Sequence, residues 1–151
     1  MKYKLIYFLI IILLPSCGFT PIYSEKNSDF KVVNIKKNID NNLTNYIENS
    51  LVTFSNIKAT KSFNIEIYLE EEILVILKDS KGDPLKNKLV TKLRLVVNDS
   101  QDNLISFKNF NEDFNYSVQE NKFNMKQYEK NIRQNLIQDI SEQILSYLSN
   151  L

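Results

Sequence analysis

Hydrophobic and polar residues alternate over two neighbouring stretches in the middle of the chain. From residue 63 to residue 77 and again from 85 to 97, apolar side chains occupy mainly odd positions. A period of two is the spacing of one face of a β-strand. The segment Ser80-Lys-Gly-Asp-Pro84 between the two stretches has turn chemistry, since Gly82 readily takes positive φ. The pattern predicts one long antiparallel hairpin, with room for a bend at Glu71.

The hairpin has two candidate registers. If the odd residues of both strands share a face, the numbers of paired residues must sum to 162 or to 164. At 162, Lys92 faces Glu70, whereas at 164 Lys92 faces Glu72 and Arg94 faces Glu70. In both registers the deeper basic residues are explained as members of exposed cross-strand pairs, which contribute little to stability.

Two more strands flank the hairpin in sequence. A short one is predicted over Phe30–Lys36, and a fourth one over Leu104–Tyr116. The apolar residues of the fourth strand change phase near Asn109, which predicts a β-bulge there.

Two segments have the helical period of 3.6. The first follows the candidate N-caps Asp40, Asn41 and Asn42 and runs to Phe54. The second is predicted to begin at Asn124, which forms a possible capping box with Gln127, and to span roughly 24 residues. Its apolar stripe is wide enough to be the main core surface and contains Met125, Tyr128, Ile132, Leu136, Ile137, Ile140, Ile144, Leu145 and Leu148.

These elements predict an α+β fold in the order β-α-β-β-β-α. The expected architecture is a two-layer sandwich, with a four-stranded, mainly antiparallel sheet and two helices on one face.

The N-terminus has the features of a bacterial lipoprotein signal peptide. Lys2 and Lys4 precede the apolar run Leu5–Leu14, and Ser16 stands directly before Cys17. Ten helical residues rise about 15 Å, roughly half the hydrocarbon thickness of a bilayer, so the run is short for a membrane span. We therefore predict a signal peptide at residues 1–16, a lipidated N-terminus and tether at 17–29, and a single domain at 30–151. An uncleaved anchor is the alternative.

Cys17 is the only cysteine of the chain, so it cannot form an internal disulfide. We expect it to carry a covalent diacylglycerol and an N-linked acyl chain such as palmitate, and we expect no other cofactor. Several acyl chains hold a protein stably on a membrane, whereas a single chain does not.

Composition narrows the possible functions. The chain has no His and only two Gly, which excludes imidazole catalysis, histidine metal sites and glycine-rich phosphate loops. Removal of residues 1–16 leaves 17 basic and 18 acidic side chains, so bulk charge predicts no nucleic-acid partner. We predict that the protein is not an enzyme.

An enzyme reading would have to use the acidic triplet Glu70–Glu72 with Asp79 or Asp83. On a strand, Glu70 and Glu72 share one face while Glu71 takes the other, so the three carboxylates do not converge. A solvated acidic patch is the favoured interpretation.

Lysines gather at the predicted hairpin turn. Near them lie the apolar residues Leu74 and Ile76, a combination that suits a ligand with phosphates and acyl chains. The alternative is a lysine-rich, solvated turn that keeps a sheet edge soluble. The predicted binding residues are Lys78, Lys81, Lys86 and Lys88.

The heptapeptide Cys17-Gly-Phe-Thr-Pro-Ile-Tyr23 resembles the start of the mature chain in the LptE family of lipopolysaccharide-assembly lipoproteins. The order of elements, the turn at Lys81-Gly-Asp-Pro84 and the closing helix around Ile137–Leu145 are also similar to that family. Two features depart from it: Pro15 in the lipidation box, and lysine where relatives often have arginine.

The resemblance implies a non-enzymatic, lipid-anchored protein on the periplasmic side of the outer membrane of a Gram-negative cell. Such a protein assembles with the β-barrel LptD, plugs its lumen and binds lipopolysaccharide during transport to the surface. Gly18 after the lipidated cysteine agrees with outer-membrane sorting. The alternative within binding proteins is another envelope lipoprotein, such as a transport auxiliary subunit or a pilotin.

Overall fold

The computed structural model describes residues 28–151. The signal peptide, Cys17 and the tether as far as residue 27 lie outside the described residues. The strands are β1 (Phe30–Lys37), β2 (Lys61–Lys78), β3 (Pro84–Asn98) and β4 (Leu104–Ser117). The helices are α1 (Asn42–Phe54) and α2 (Lys122–Ser149). The predicted order β-α-β-β-β-α is confirmed, and so is the α+β class.

The four strands form one sheet in the order β1-β2-β3-β4. β1 runs parallel to β2, and α1 connects the two, as a parallel pair requires a crossover. The other two pairs are antiparallel hairpins. β1 is much shorter than β2 and ends beside Ile67, so it covers only the first part of that strand.

The β2–β3 hairpin takes the register in which paired numbers sum to 162. The pairing runs without a shift from Asn64 opposite Asn98 to Val75 opposite Asn87. Lys92 therefore lies opposite Glu70, and the alternative sum of 164 is wrong. Gly82 has φ +91°, as the predicted turn requires.

The core lies between one face of the sheet and the two helices. That face carries the odd residues of β2 and β3, and the predicted stripe of α2 packs on it. Ile140 and Ile144 of the stripe are fully buried, next to Ile47 and Leu51 of α1. The sheet contributes Phe63, Ile65, Ile67, Leu69, Leu93, Leu95, Val97 and Phe110.

The predicted bulge near Asn109 is wrong. β4 keeps a constant register against β3 from Ser106 to Ser117, and the only shift between the two strands lies next to Asn98. The even residues of β4 face the helices, so Phe110 is buried while Phe107 lies on the opposite face. Phe107 is stable there because the guanidinium of Arg94 lies 5.2 Å from its ring centroid.

The structure places the N-caps of both helices. Asn41 caps α1, and Thr44 completes a capping box with it, within the range that the sequence predicts. The predicted start of α2 at Asn124 is wrong, because Asn121 is the N-cap. The Asn121 carboxamide oxygen accepts hydrogen bonds from the backbone N–H groups of Phe123 and Asn124, and α2 reaches 28 residues.

Candidate functional site

The β2–β3 hairpin extends beyond the core. We call residues 73–88, which form its end, the distal hairpin. Along β2, burial ends at Leu69, and every residue from Glu70 to Lys78 is exposed. Five of them are consecutive apolar residues, Ile73 to Leu77, each 40–47% exposed. Since successive strand residues point to opposite faces, this run presents apolar surface on both sides of the sheet.

The tip of the distal hairpin is a tight turn organised by Asp79. Its carboxylate Oδ1 accepts hydrogen bonds from the backbone N–H groups of Lys81 and Asp83, both at 2.8 Å. The Asp79 N–H donates to the Asp83 carbonyl, and the Gly82 N–H donates to the Asp79 carbonyl. The carboxylate of Asp79 is therefore engaged in shaping the turn.

The four predicted binding lysines do not behave alike. Lys78, Lys81 and Lys86 are exposed, and within residues 28–151 none of the three has a carboxylate within ion-pair distance. Lys88, in contrast, is partly buried, and its Nζ lies 3.0 Å from Asp113 Oδ2 of β4. The prediction of Lys88 as a binding residue like the other three is therefore weakened, because β4 supplies it with an acidic partner from the side opposite β2.

A second basic region lies on the outer face of the sheet, which is the face away from the helices. There a cavity of about 400 Å³ is lined by Tyr68, Glu70, Lys92, Arg94, Asn109 and Asn111, with Leu93. Sequence reasoning assigned Lys92 and Arg94 only to cross-strand pairing. The sequence does contain a signal for this region. Basic residues occupy even positions of β3, and asparagines occupy odd positions of β4.

The acidic triplet is divided between the two faces of the sheet. Glu71 points to the helices, where its Oε2 lies 3.6 Å from Nε of Arg133. Burial raises the pKa of Glu71, and the nearby Arg133 opposes that shift. Glu70 and Glu72 line a cavity of about 600 Å³ beside the end of β1, and Glu71 also reaches its lining.

No group of three or more acidic, histidine or cysteine side chains in the part of the chain that the structure describes is placed to hold a metal ion. No helix within residues 28–151 is long and apolar enough to span a bilayer.

The distal hairpin combines two features that bear on binding. Three lysines at its tip present positive charge, and a five-residue apolar run lies directly behind them. Ammonium groups bind phosphates as point charges, while exposed apolar surface binds acyl chains or another apolar surface. The arrangement therefore suits binding of an anionic amphiphile.

Several solved structures of bacterial lipoproteins superpose on this chain. The rare lipoprotein B of Shewanella oneidensis superposes with a TM-score of 0.64 at 9% identity, over 80% of this chain and 95% of that one. A lipoprotein B of Nitrosomonas europaea gives 0.62 at 15% identity, over 81% and 86% of the two chains. A minor lipoprotein of Acinetobacter baumannii gives 0.59 at 17% identity, over 80% and 91%.

These likenesses show the fold, which this chain shares with the three lipoproteins. They cover about four fifths of the chain. No protein-family model and no curated protein matches the sequence.

Proposed function

We propose that this chain is an outer-membrane lipoprotein that assembles with and plugs an LptD-like β-barrel and binds lipopolysaccharide on its way to the cell surface. The observation that carries the proposal is the distal hairpin, where unpaired lysines adjoin an exposed apolar run. Lipopolysaccharide combines phosphates with acyl chains, and those are the two chemistries that this surface can bind.

The position of the hairpin agrees with a protein anchored through Cys17. β1 begins at Phe30, which lies beside Lys61 at the start of β2. Lys78 ends the same strand, so about 17 residue steps, or roughly 56 Å, separate the tip from the level at which the tether enters the domain. The tether and the tip lysines therefore lie at opposite ends of the domain, and the proposal places the tip end inside the barrel.

The lysines and the apolar run bind different parts of lipopolysaccharide. Lys78, Lys81 and Lys86 hold phosphates, and Ile73 to Leu77 line the acyl chains. The outer-face residues Lys92 and Arg94 extend the positive surface toward the middle of the sheet. Exposed charge pairs are screened by salt, so the lysine part of the binding weakens with ionic strength and the apolar part does not.

Affinity purification from native membranes tests the assembly. The full-length chain, tagged at its C-terminus, is solubilised in mild detergent and its partners are identified by mass spectrometry. We expect a large outer-membrane β-barrel protein to co-purify with it in stoichiometric amount. A Cys17→Ser variant controls for contacts that need the membrane anchor. Recovery of an inner-membrane transporter or a secretion pore instead would replace the proposal by the transport-auxiliary or pilotin alternative.

A further inference from the structure

Six side chains form a regular array on the outer face of the sheet, two each from β2, β3 and β4. We call these six residues the outer array. The strand registers place them in two rows that run across the three strands. The array measures about 10 Å across the strands and about 7 Å along them. It lines the outer-face cavity of about 400 Å³, a volume within the range of small-ligand sites. One row is Tyr68, Arg94 and Asn109, and the other is Glu70, Lys92 and Asn111.

The polar groups of the outer array do not satisfy one another. Among residues 28–151, no ion pair involves Glu70, Lys92 or Arg94. In the same part of the chain, the side-chain amides of Asn109 and Asn111 make no hydrogen bond. All of these side chains are exposed, on the face that the helices do not cover. Their hydrogen-bonding capacity is therefore open to a ligand that approaches from solvent.

Two contacts fix the aromatic and the cationic parts of the array. The Tyr68 hydroxyl donates a hydrogen bond to Glu66 Oε2 at 2.8 Å, which orients the ring while 43% of the residue stays exposed. The Arg94 guanidinium lies 5.2 Å from the centroid of the Phe107 ring. A guanidinium stacked on an aromatic ring presents its planar fork of donors in a preorganised way. Preorganised groups lose less conformational freedom when a ligand binds.

The mixture of donors and acceptors selects the chemistry of the ligand. Lys92 and Arg94 only donate hydrogen bonds, the Glu70 carboxylate only accepts them, and the two asparagine amides do both. A ligand made of phosphates alone would leave the carboxylate without a donor, and an apolar ligand would leave every polar group unpaired, which costs free energy. A sugar ring has hydroxyls that donate and accept, and its apolar C–H face can pack on the ring of Tyr68. Two cations against one carboxylate favour a sugar that carries an acidic group.

We infer that the outer array binds the acidic saccharide part of lipopolysaccharide, with sugar hydroxyls on the carboxylate and the two amides and a sugar carboxylate on the two cations. The inference deepens the proposed function and rests on it for the identity of the saccharide. The distal hairpin binds the phosphates and acyl chains of the same molecule. Glu70 precedes Ile73, the first residue of the apolar run, by three residues, which is about 10 Å along β2. One ligand can therefore contact both surfaces.

Calorimetric titration of the full-length chain, purified in mild detergent, tests the saccharide site. The probe is the oligosaccharide that mild acid releases from lipid A, freed of its phosphates, so that it keeps sugar hydroxyls and carboxylates but has no acyl chains. We expect the wild-type chain to bind the probe and Asn111→Ala to weaken that binding about tenfold, because a hydrogen bond is lost. Asn115→Ala is the matched control, since Asn115 is also exposed on the outer face of β4 but lies outside the cavity lining. Circular dichroism checks that both variants keep the fold.

The acidic group of the sugar is tested on the probe itself. Reduction of its carboxylates to alcohols should weaken binding to the wild-type chain about tenfold, because charge-assisted hydrogen bonds are lost. Lys92→Gln should make the difference between the two probes smaller. A chain with Lys78, Lys81 and Lys86 changed to Ser should bind the unreduced probe like the wild type, which separates this site from the distal hairpin.

Three results would overturn the inference. The wild-type chain could retain whole lipopolysaccharide without binding the probe. Asn111→Ala and Asn115→Ala could weaken binding equally. Inorganic phosphate at the concentration of the probe could displace it completely, which would make the array a simple anion site. Failure of the proposed function would look different, because no barrel protein would co-purify and the tip lysines would not affect retention of whole lipopolysaccharide, while the probe would still bind.

Discussion

Lys88 and Asp113 form an ion pair across β3 and β4, with Nζ 3.0 Å from Oδ2. Lys88 therefore differs from Lys78, Lys81 and Lys86 at the tip, which have no acidic partner among the described residues. Lys88→Ser should therefore reduce lipopolysaccharide retention by the purified protein only slightly. Retention is measured as bound lipopolysaccharide per mole of immobilised protein. A loss from this single change as large as that from removing the tip lysines would contradict the separation.

The stripe of α2 should carry much of the stability. Ile140 is fully buried between α2 and the sheet, so Ile140→Ala removes apolar contacts and leaves a cavity. We expect the free energy of unfolding to fall by about 2–5 kcal/mol, as for other large-to-small core changes. Urea unfolding of the two proteins measures the difference. An unchanged midpoint would mean that the stripe does not support the described core.

Tyr116 should make stability sensitive to alkaline pH. Its side chain is buried, and its hydroxyl donates a hydrogen bond to Glu129 Oε1 at 2.8 Å. Burial is the larger cause and this hydrogen bond the second, and together they raise the pKa of Tyr116 from 10.0 to about 12. A raised pKa means that the folded state holds the proton more tightly than the unfolded state does. The contribution to stability is thus complete below pH 10 and is lost as the pH rises towards about 12.

Tyr116→Phe removes that titrating group. The difference in unfolding free energy between the wild-type chain and this variant should therefore change over the same alkaline range and stay constant below it. Measuring the difference cancels the general effect of lysine deprotonation. A difference that is independent of pH throughout would show that Tyr116 titrates normally in the folded protein.

Cys17 should be the N-terminal residue of the mature protein and should carry the lipid. The prediction rests on the short apolar run and on Ser16, and it concerns residues outside the described part of the chain. Intact-mass spectrometry of protein extracted from membranes measures it. A mass equal to that of the complete, unmodified 151-residue chain would establish the uncleaved anchor instead.

Sequence patterns predicted the helices and strands well, because the apolar residues repeat with a regular period over long stretches. The alternation of apolar residues left two possible registers for the β2–β3 hairpin. The structure has the one in which paired residue numbers sum to 162, with Gly82 in the turn. The pattern of apolar residues gave a wrong prediction for β4, where both faces of the strand carry apolar residues. The phase change near Asn109 looked like a bulge, but Phe107 is apolar on the outer face, where Arg94 covers it. The residues around Phe107 in the sequence do not reveal this contact, because Arg94 lies on the neighbouring strand β3.

The candidate site was likewise predictable from the sequence only in part. The lysines of the turn are visible in the sequence, but the partner of Lys88 depends on how β4 aligns with β3. The outer array depends on how β2, β3 and β4 align with one another. Such features arise from pairing between segments that are far apart in the chain.

Lipopolysaccharide binding by a tip-lysine variant tests the central claim most directly. Lys78, Lys81 and Lys86 are changed to Ser together, and the control changes Lys36, Lys58 and Lys61 to Ser, which removes the same charge at the opposite end of the domain. The account predicts a clear loss of lipopolysaccharide retention for the tip variant at low salt, and retention close to wild type for the control. Equal retention by the two variants would contradict it.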